Sequence, residues 1–322
     1  MAVADIPTNR KHSPSGKFLM TPPTLLTKQS EMKPYHFVHI IFLAVVRDVP
    51  TVGTHHVQIL RSATRWSSGI FTESSILSAY LSLIEESQHY IYIENQFFVT
   101  SSIPTAGLVS NKIGLALYTR IKAAHEANER FHVYVVLPLV PAFPGELDSA
   151  ESFAIRKIMD LQYRSISRDK GQSLIERLEA DGIPVANYIS FHGLRTYSEL
   201  QDKMVTEQVY IHSKCLIVDD RVAIVGSANL NDRSMLGHRD SEIAAVITDT
   251  KKIATKMNGK PYEASRTVFE FRCRLFEEHL GLQETVRPAE IGAVHTHQVV
   301  EDPLAESFIS GPWLSTSANN TG

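Results

Sequence analysis

The stretch Tyr210-Ile211-His212-Ser213-Lys214-Cys215-Leu216-Ile217-Val218-Asp219-Asp220-Arg221-Val222-Ala223-Ile224-Val225-Gly226-Ser227-Ala228-Asn229 decides how this chain is read. Its apolar runs, Gln208 to Val218 and Val222 to Val225, flank Asp219-Asp220-Arg221, which is too short for a crossover, so they are predicted to pair antiparallel. The stretch also carries the pattern H-x-K-x4-D-x6-G-S-x-N, and it does so once: of fourteen histidines only His212 has a lysine two positions later. Side chains alternate faces along a strand, so His212 and Lys214 are predicted to project together, opposite Ile211, Ser213 and Cys215. Where the second run ends, Gly226 permits a tight turn, and Ser227 and Asn229 offer short polar groups to a phosphate oxygen beside His212.

Two carboxylates flank this group. Glu242 opens the next predicted strand, Glu242 to Thr248, and is assigned to the imidazole, since a carboxylate fixes a catalytic tautomer and stabilises the protonated ring. Asp219 is out of register with His212 and sits at the turn, where aspartate caps its own backbone, so it and Gly226 are read as structural.

Outward from the motif, helical and strand signals alternate. Ile76, Leu77, Tyr80, Leu83 and Ile84 form a helical stripe over 72–86 with Thr72 as its cap, and a strand is predicted from Tyr90 to Val99. A helix ending near His125, a strand over 131–137, a loop over 139–150, helices over 154–166 and 174–180, a strand over 185–191 and a helix over 262–280 follow. Strands separated by helices argue for an α/β domain, a mixed sheet with helices on both faces. Residues 1–56 and 291–322 read as irregular segments on either side of a domain over 57–290. Trp66, Phe97 and Phe98 are read as core aromatics, although a place at a lipid-facing mouth is the other reading. Glu94-Asn95-Gln96 either line a cleft or close a strand end with hydrogen bonds.

Composition sets limits. The 322 residues are 43% hydrophobic and 21% charged with a net charge of −3, which gives no general attraction to nucleic acid, so any anion site is local. Cys215 and Cys273 form neither a disulfide framework nor a metal spacing, and His295-Thr296-His297 lacks further ligands; a cytoplasmic protein without a metal is expected. The apolar run Phe37 to Val46 is half the roughly twenty residues of a membrane span and reads as a buried strand, so membrane contact is expected to be peripheral.

These residues resemble eukaryotic phospholipase D, of the HKD phosphodiesterase superfamily. The likeness extends to Val57-Gln58-Ile59-Leu60-Arg61-Ser62 with Trp66-Ser67, Tyr92-Ile93-Glu94-Asn95-Gln96-Phe97-Phe98, Tyr188-Ile189-Ser190-Phe191, Val205-Thr206-Glu207 and Asn231-Asp232-Arg233-Ser234-Met235-Leu236-Gly237, over residues 57–313. The blocks are similar to the C-terminal half of the phosphatidylcholine-cleaving branch. The resemblance implies one half of a two-lobed enzyme and a two-step displacement without metal or cofactor. In it one HKD histidine attacks phosphorus, and the other protonates the leaving alcohol and then activates water or admits a short primary alcohol. His212 matches the second histidine, and Lys214, Ser227 and Asn229 match the groups that hold the non-bridging oxygens. A first HKD copy is missing before Val57, so a truncated form is expected. Three readings follow: a half-enzyme of little activity alone that pairs with a separate first half, a single-HKD phosphodiesterase active as a dimer, or an inactive phosphate- or lipid-binding fragment.

Overall fold

The computed structural model describes residues 53–141 and 152–282. Outside them lie the apolar run Phe37 to Val46, almost all of the expected leader, most of the loop over 139–150, His295, His297 and the tail over 291–322.

The elements in chain order are β1 (His55–Ala63), α1 (Arg65–Ser68), β2 (Glu73–Ser74), α2 (Ser75–Glu86), β3 (Tyr90–Asn95), α3 (Ile113–Glu126), β4 (His132–Val136), α4 (Phe153–Ile166) and α5 (Leu174–Ala180). They continue with β5 (Ile189–His192), β6 (Arg195–Leu200), β7 (Lys203–Gln208), β8 (Lys214–Val218), β9 (Val222–Gly226), α6 (Asp232–Met235), β10 (Glu242–Asp249), β11 (Lys252–Met257), β12 (Lys260–Ser265) and α7 (Arg266–His279). Eight strands form one mixed sheet in the order β2-β1-β10-β9-β8-β3-β4-β5. The β3-β4-β5 neighbours run parallel, and the remaining pairs run antiparallel, including the predicted β8–β9 hairpin.

Strand alternation builds a layer on each face. Ile91 and Ile93 of β3, Val133 and Val135 of β4, and Leu216 and Val218 of β8 pack with Ile76, Tyr80 and Ile84 of α2, Leu117 and Ile121 of α3 and Leu178 of α5. Tyr90, Tyr92, Cys215, Ile217 and Ala223 point the other way, to Val268, Phe271 and Phe276 of α7. The helices form because their apolar residues recur every three or four positions, as at Ile113, Leu117, Ile121 and Ala124. In α5 the Ser173 hydroxyl caps the Glu176 N–H, and the Glu176 carboxylate returns bonds to Asp169, Gly171 and Ser173, which hold it below the usual carboxylate range. Among the described residues no helix is long and apolar enough to cross a membrane.

Several expectations change. The predicted strand from Gln208 to Val218 is interrupted: Gln208 ends β7, which pairs with β6 in a separate sheet, residues 209–213 belong to no strand, and β8 begins at Lys214. The predicted helix over 262–280 begins only at Arg266, since Asn258 and Gly259, at φ 51° and 77°, turn β11 into β12. Helix α2 starts at Ser75 after Ser74 rather than after Thr72, and β3 stops at Asn95. Trp66 is 69% exposed whereas Phe97 and Phe98 are buried.

The β8–β9 turn holds both layers. Asp219 and Asp220 occupy the left-handed region at φ 54° and 49°, which aspartate tolerates and a tight hairpin requires. The buried Asp220 carboxylate takes a bidentate pair from Arg272 of α7, at 2.8 and 2.9 Å, and the Tyr90 hydroxyl at 2.6 Å. Removing the guanidinium strands a carboxylate in the interior. Arg272→Ala is therefore expected to lower unfolding stability by about 3 kcal/mol, read by urea denaturation, with the native circular dichroism spectrum retained.

Candidate active site

The carboxyl ends of β3 and β9 and the amino ends of β8 and β10 meet at one end of the sheet, because Asn95 is paired with Lys214 and Gly226 with Ala244. Lys214 is 8% exposed. Its Nζ donates to Gln96 Oε1 at 3.1 Å and to the carbonyl of His212. Burial pushes this ammonium below the ordinary lysine range, and the Glu242 charge offsets part of that shift. Gln96 in turn donates to the Tyr210 hydroxyl at 2.6 Å.

The Gly226–Asn229 loop is held on both sides. Asn95 donates to the Ala228 carbonyl at 3.3 Å and accepts the Leu230 N–H at 3.2 Å. A Cβ on Gly226 would lie 2.5 Å from the Ile243 carbonyl, so β9 approaches β10 here only because the residue is glycine. The Ser227 hydroxyl accepts the Ile243 N–H at 3.1 Å and donates to Glu242 Oε2 at 2.5 Å, while Ser234 donates to Glu242 Oε1 at 2.6 Å. Buried Asn229 Oδ1 has no hydrogen-bond partner among the described residues. A polar atom enclosed without a partner is costly unless something else meets it, and the two ends of an amide can be exchanged without altering its shape.

His212 is exposed, and its ring makes no hydrogen bond among the described residues; its nearest ring neighbour is Tyr210, at 6.2 Å between centroids. It lies outside the strand in which it was expected, so its position comes from the contacts of residues 209–213 rather than from a ladder. Ile211 plugs into the core beneath α7, the Tyr210 hydroxyl is fixed by Gln96, and the Ser213 hydroxyl donates to Glu94. Glu94 is itself buried, accepts the Tyr92 hydroxyl at 2.5 Å and faces His279 Nε2 at 3.5 Å. Its charge, after burial, contributes to raising the Tyr92 hydroxyl well above its ordinary value.

Of the residues singled out in the sequence, Lys214, Ser227, Asn229 and Glu242 surround one loop. Glu242, expected at the imidazole, accepts the hydroxyls of Ser227 and Ser234, and no hydrogen bond joins it to His212 among the described residues. Asp219 lies at the far end of the sheet, where its carboxylate accepts the N–H groups of Gln88, His89 and Tyr90 at 2.7, 2.8 and 2.9 Å. Tyr210 and Ser234 were not singled out, and Gln96 was read only with Glu94 and Asn95, as lining a cleft or closing a strand end. Gln96 and Ser234 fall within blocks that carry the resemblance, and Tyr210 is two residues before His212. A buried ammonium and an amide with an unpartnered end can hold an anionic oxygen, and the exposed imidazole two residues before Lys214 can exchange a proton.

A family model described as phospholipase D matches residues 28–194 and 173–316, so the likeness starts well before Val57. Phospholipase D1 of Schizosaccharomyces pombe is 48% identical over 243 residues, covering 74% of this chain and 18% of that protein. Phospholipase D1 of Homo sapiens is 45% identical over 274 residues, covering 84% and 24%, and phospholipase D zeta 2 of Arabidopsis thaliana is 44% identical over 268 residues, covering 82% and 24%. This chain thus spans about a quarter or less of the length of these curated relatives. Matched by the family model from residue 28 to residue 316, the chain belongs to the phospholipase D family.

Proposed function

We propose that the chain supplies one half of a phosphodiesterase site that cleaves phosphatidylcholine to phosphatidic acid and choline. The observation that carries the reading is the buried Lys214 ammonium, whose hydrogen-bond partners are neutral oxygens, set beside the loop of Ser227 and Asn229. An anionic phosphodiester oxygen is the complement of that arrangement. His212 stands next to it as the proton carrier. A histidine from a second HKD half attacks phosphorus and the bond to the choline oxygen breaks, while His212 gives that oxygen its proton. His212 then removes a proton from water, whose oxygen attacks the phosphorus of the phosphohistidine; the P–N bond breaks, phosphatidic acid leaves and both imidazoles are restored.

One imidazole cannot attack phosphorus and protonate the leaving group at once, so the half-site is completed by a separate first half or by a second copy of the chain. Glu242 acts as a positioning residue: it accepts the Ser227 hydroxyl, which fixes the loop, and supports the charge on Lys214. The lipid is met at a membrane surface, peripherally, from the cytoplasm.

Choline release assayed over a protein concentration series is expected to rise with the square of concentration if two copies form the site, or on adding a first-half fragment if the halves differ. His212→Ala lowers that release by about three orders of magnitude or more. Turnover by a demonstrated monomer, or turnover surviving His212→Ala, rejects the assignment. Binding of inorganic phosphate without turnover in any mixture leaves only a binding fragment.

The pH dependence has a definite sign. Anion binding needs the protonated amine, and burial lowers the Lys214 pKa, so phosphate affinity, measured by calorimetry, is expected to fall as pH rises before the ordinary lysine value of about 10.4 is reached. Glu242→Gln removes the charge that favours the ammonium, and therefore moves this alkaline loss to still lower pH.

A further inference from the structure

We propose that Trp66 and Phe71, on the turn that links β1 to β2, form the contact through which this site sits on a phospholipid surface; the inference rests on the lipid-substrate reading above. Phe71 is 98% exposed and Trp66 69%, and they lie five residues apart on one short segment. The segment projects rather than encloses: α1 is one turn long, ends in the left-handed Gly69 at φ 69°, and buries none of its residues. A convex pair of rings finds no complement in a rigid pocket of its own shape but inserts readily into a soft interface.

The segment is also tied to the mouth of the site. Trp66 Nε1 donates to the His238 carbonyl at 3.2 Å, which satisfies the polar end of the indole and leaves its apolar body outward. At the neighbouring Gly237, φ is 79° and a Cβ would fall 2.2 Å from the Glu73 carbonyl, so the 64–74 segment lies directly against the loop that follows Ser234. Ser62 of β1 is the register partner of Glu242. The aromatic pair and the phosphate-holding loop are thus parts of one rim.

Charge selects lipid over other partners. The acids of this rim are engaged within the protein: Glu73 with Arg61 at 2.6 Å, Asp240 with Arg233 at 2.8 Å, and Glu242 with two serines. Arg65 and Arg239, exposed on either side of the Trp66–His238 contact, have no salt-bridge partner among the described residues. Free cations around protruding aromatics match a plane of lipid phosphates above acyl chains.

The chain contains two tryptophans, Trp66 and Trp313, so Trp313→Phe leaves Trp66 as the sole indole reporter. Mixing that variant with phosphatidylcholine–phosphatidylserine vesicles is expected to shift its emission to the blue and to permit quenching by acyl chains brominated near the headgroup. In the native background, Trp66→Ser and Phe71→Ser, both at exposed positions, each reduce vesicle partition about tenfold while leaving the circular dichroism spectrum and inorganic phosphate binding unchanged. Arg65→Gln weakens binding on anionic vesicles and has little effect on pure phosphatidylcholine. The proposal is overturned if phosphate binds but Trp66 stays in water on vesicles. It is equally overturned if the blue shift appears without lipid and grows with protein concentration, which would make the rim a protein contact. Vesicle binding through Trp66 without choline release in any pairing would uphold the surface and reject the catalytic reading.

Discussion

The Asp219 carboxylate accepts three consecutive backbone N–H groups at the start of β3 while its own backbone turns β8 into β9. It thereby locks the hairpin against β3 with Ile91 opposite Val218, and that register runs on to set Asn95 opposite Lys214 at the other end. Side chains change face with every residue, so a slip of one position would send Lys214 into the layer under α7 and turn Cys215 toward α2. The site exists at one end of the sheet because an anion is anchored at the other. Asp220, one residue on, adds the outer layer by holding Arg272, so consecutive aspartates fix register and layering separately.

At the working end the notable element is a cation without a paired anion. Lys214 is enclosed by the amide oxygen of Gln96 and the carbonyl of His212, and the Glu242 carboxylate influences it while bonded elsewhere. Burying an ammonium without a contact partner is unfavourable, and a protein that maintains such a site has a deficit that an incoming anion removes. The same logic applies to Asn229, whose enclosed oxygen end has no partner.

How much of this was legible in the sequence depended on the range of the interactions involved. The β8–β9 hairpin, the mixed sheet and the proximity of Lys214 to the Ser227–Asn229 loop follow from alternation and a short turn, which are local. The break at 209–213 does not, because Tyr210 to Cys215 alternate as a strand does and are drawn off by Gln96 and Glu94, more than a hundred residues earlier. That Glu242 accepts the hydroxyls of Ser227 and Ser234 was not legible, since choosing between an imidazole and two hydroxyls needs distances. Trp66 was read as core from residue type alone, and its exposure is set by the Gly237–Glu73 approach, which no period encodes. Asn258-Gly259 was a local turn signal that the apparent helical pattern over 262–280 obscured.

The attachment of Lys214 to two fixed oxygens has a stereochemical consequence. An ammonium carries three N–H vectors, and here Gln96 and the His212 carbonyl occupy two of them, so the third points in one direction. A lysine on a free stem is a mobile point charge that treats all oxygens of an anion alike. Lys214 is instead a single oriented donor. The two non-bridging oxygens of the diester proposed above stand in different directions from phosphorus, and one oriented N–H would meet only one of them. On that proposal the site would distinguish the two oxygens of a prochiral phosphorus, and replacing one of them by sulfur would reveal its handedness.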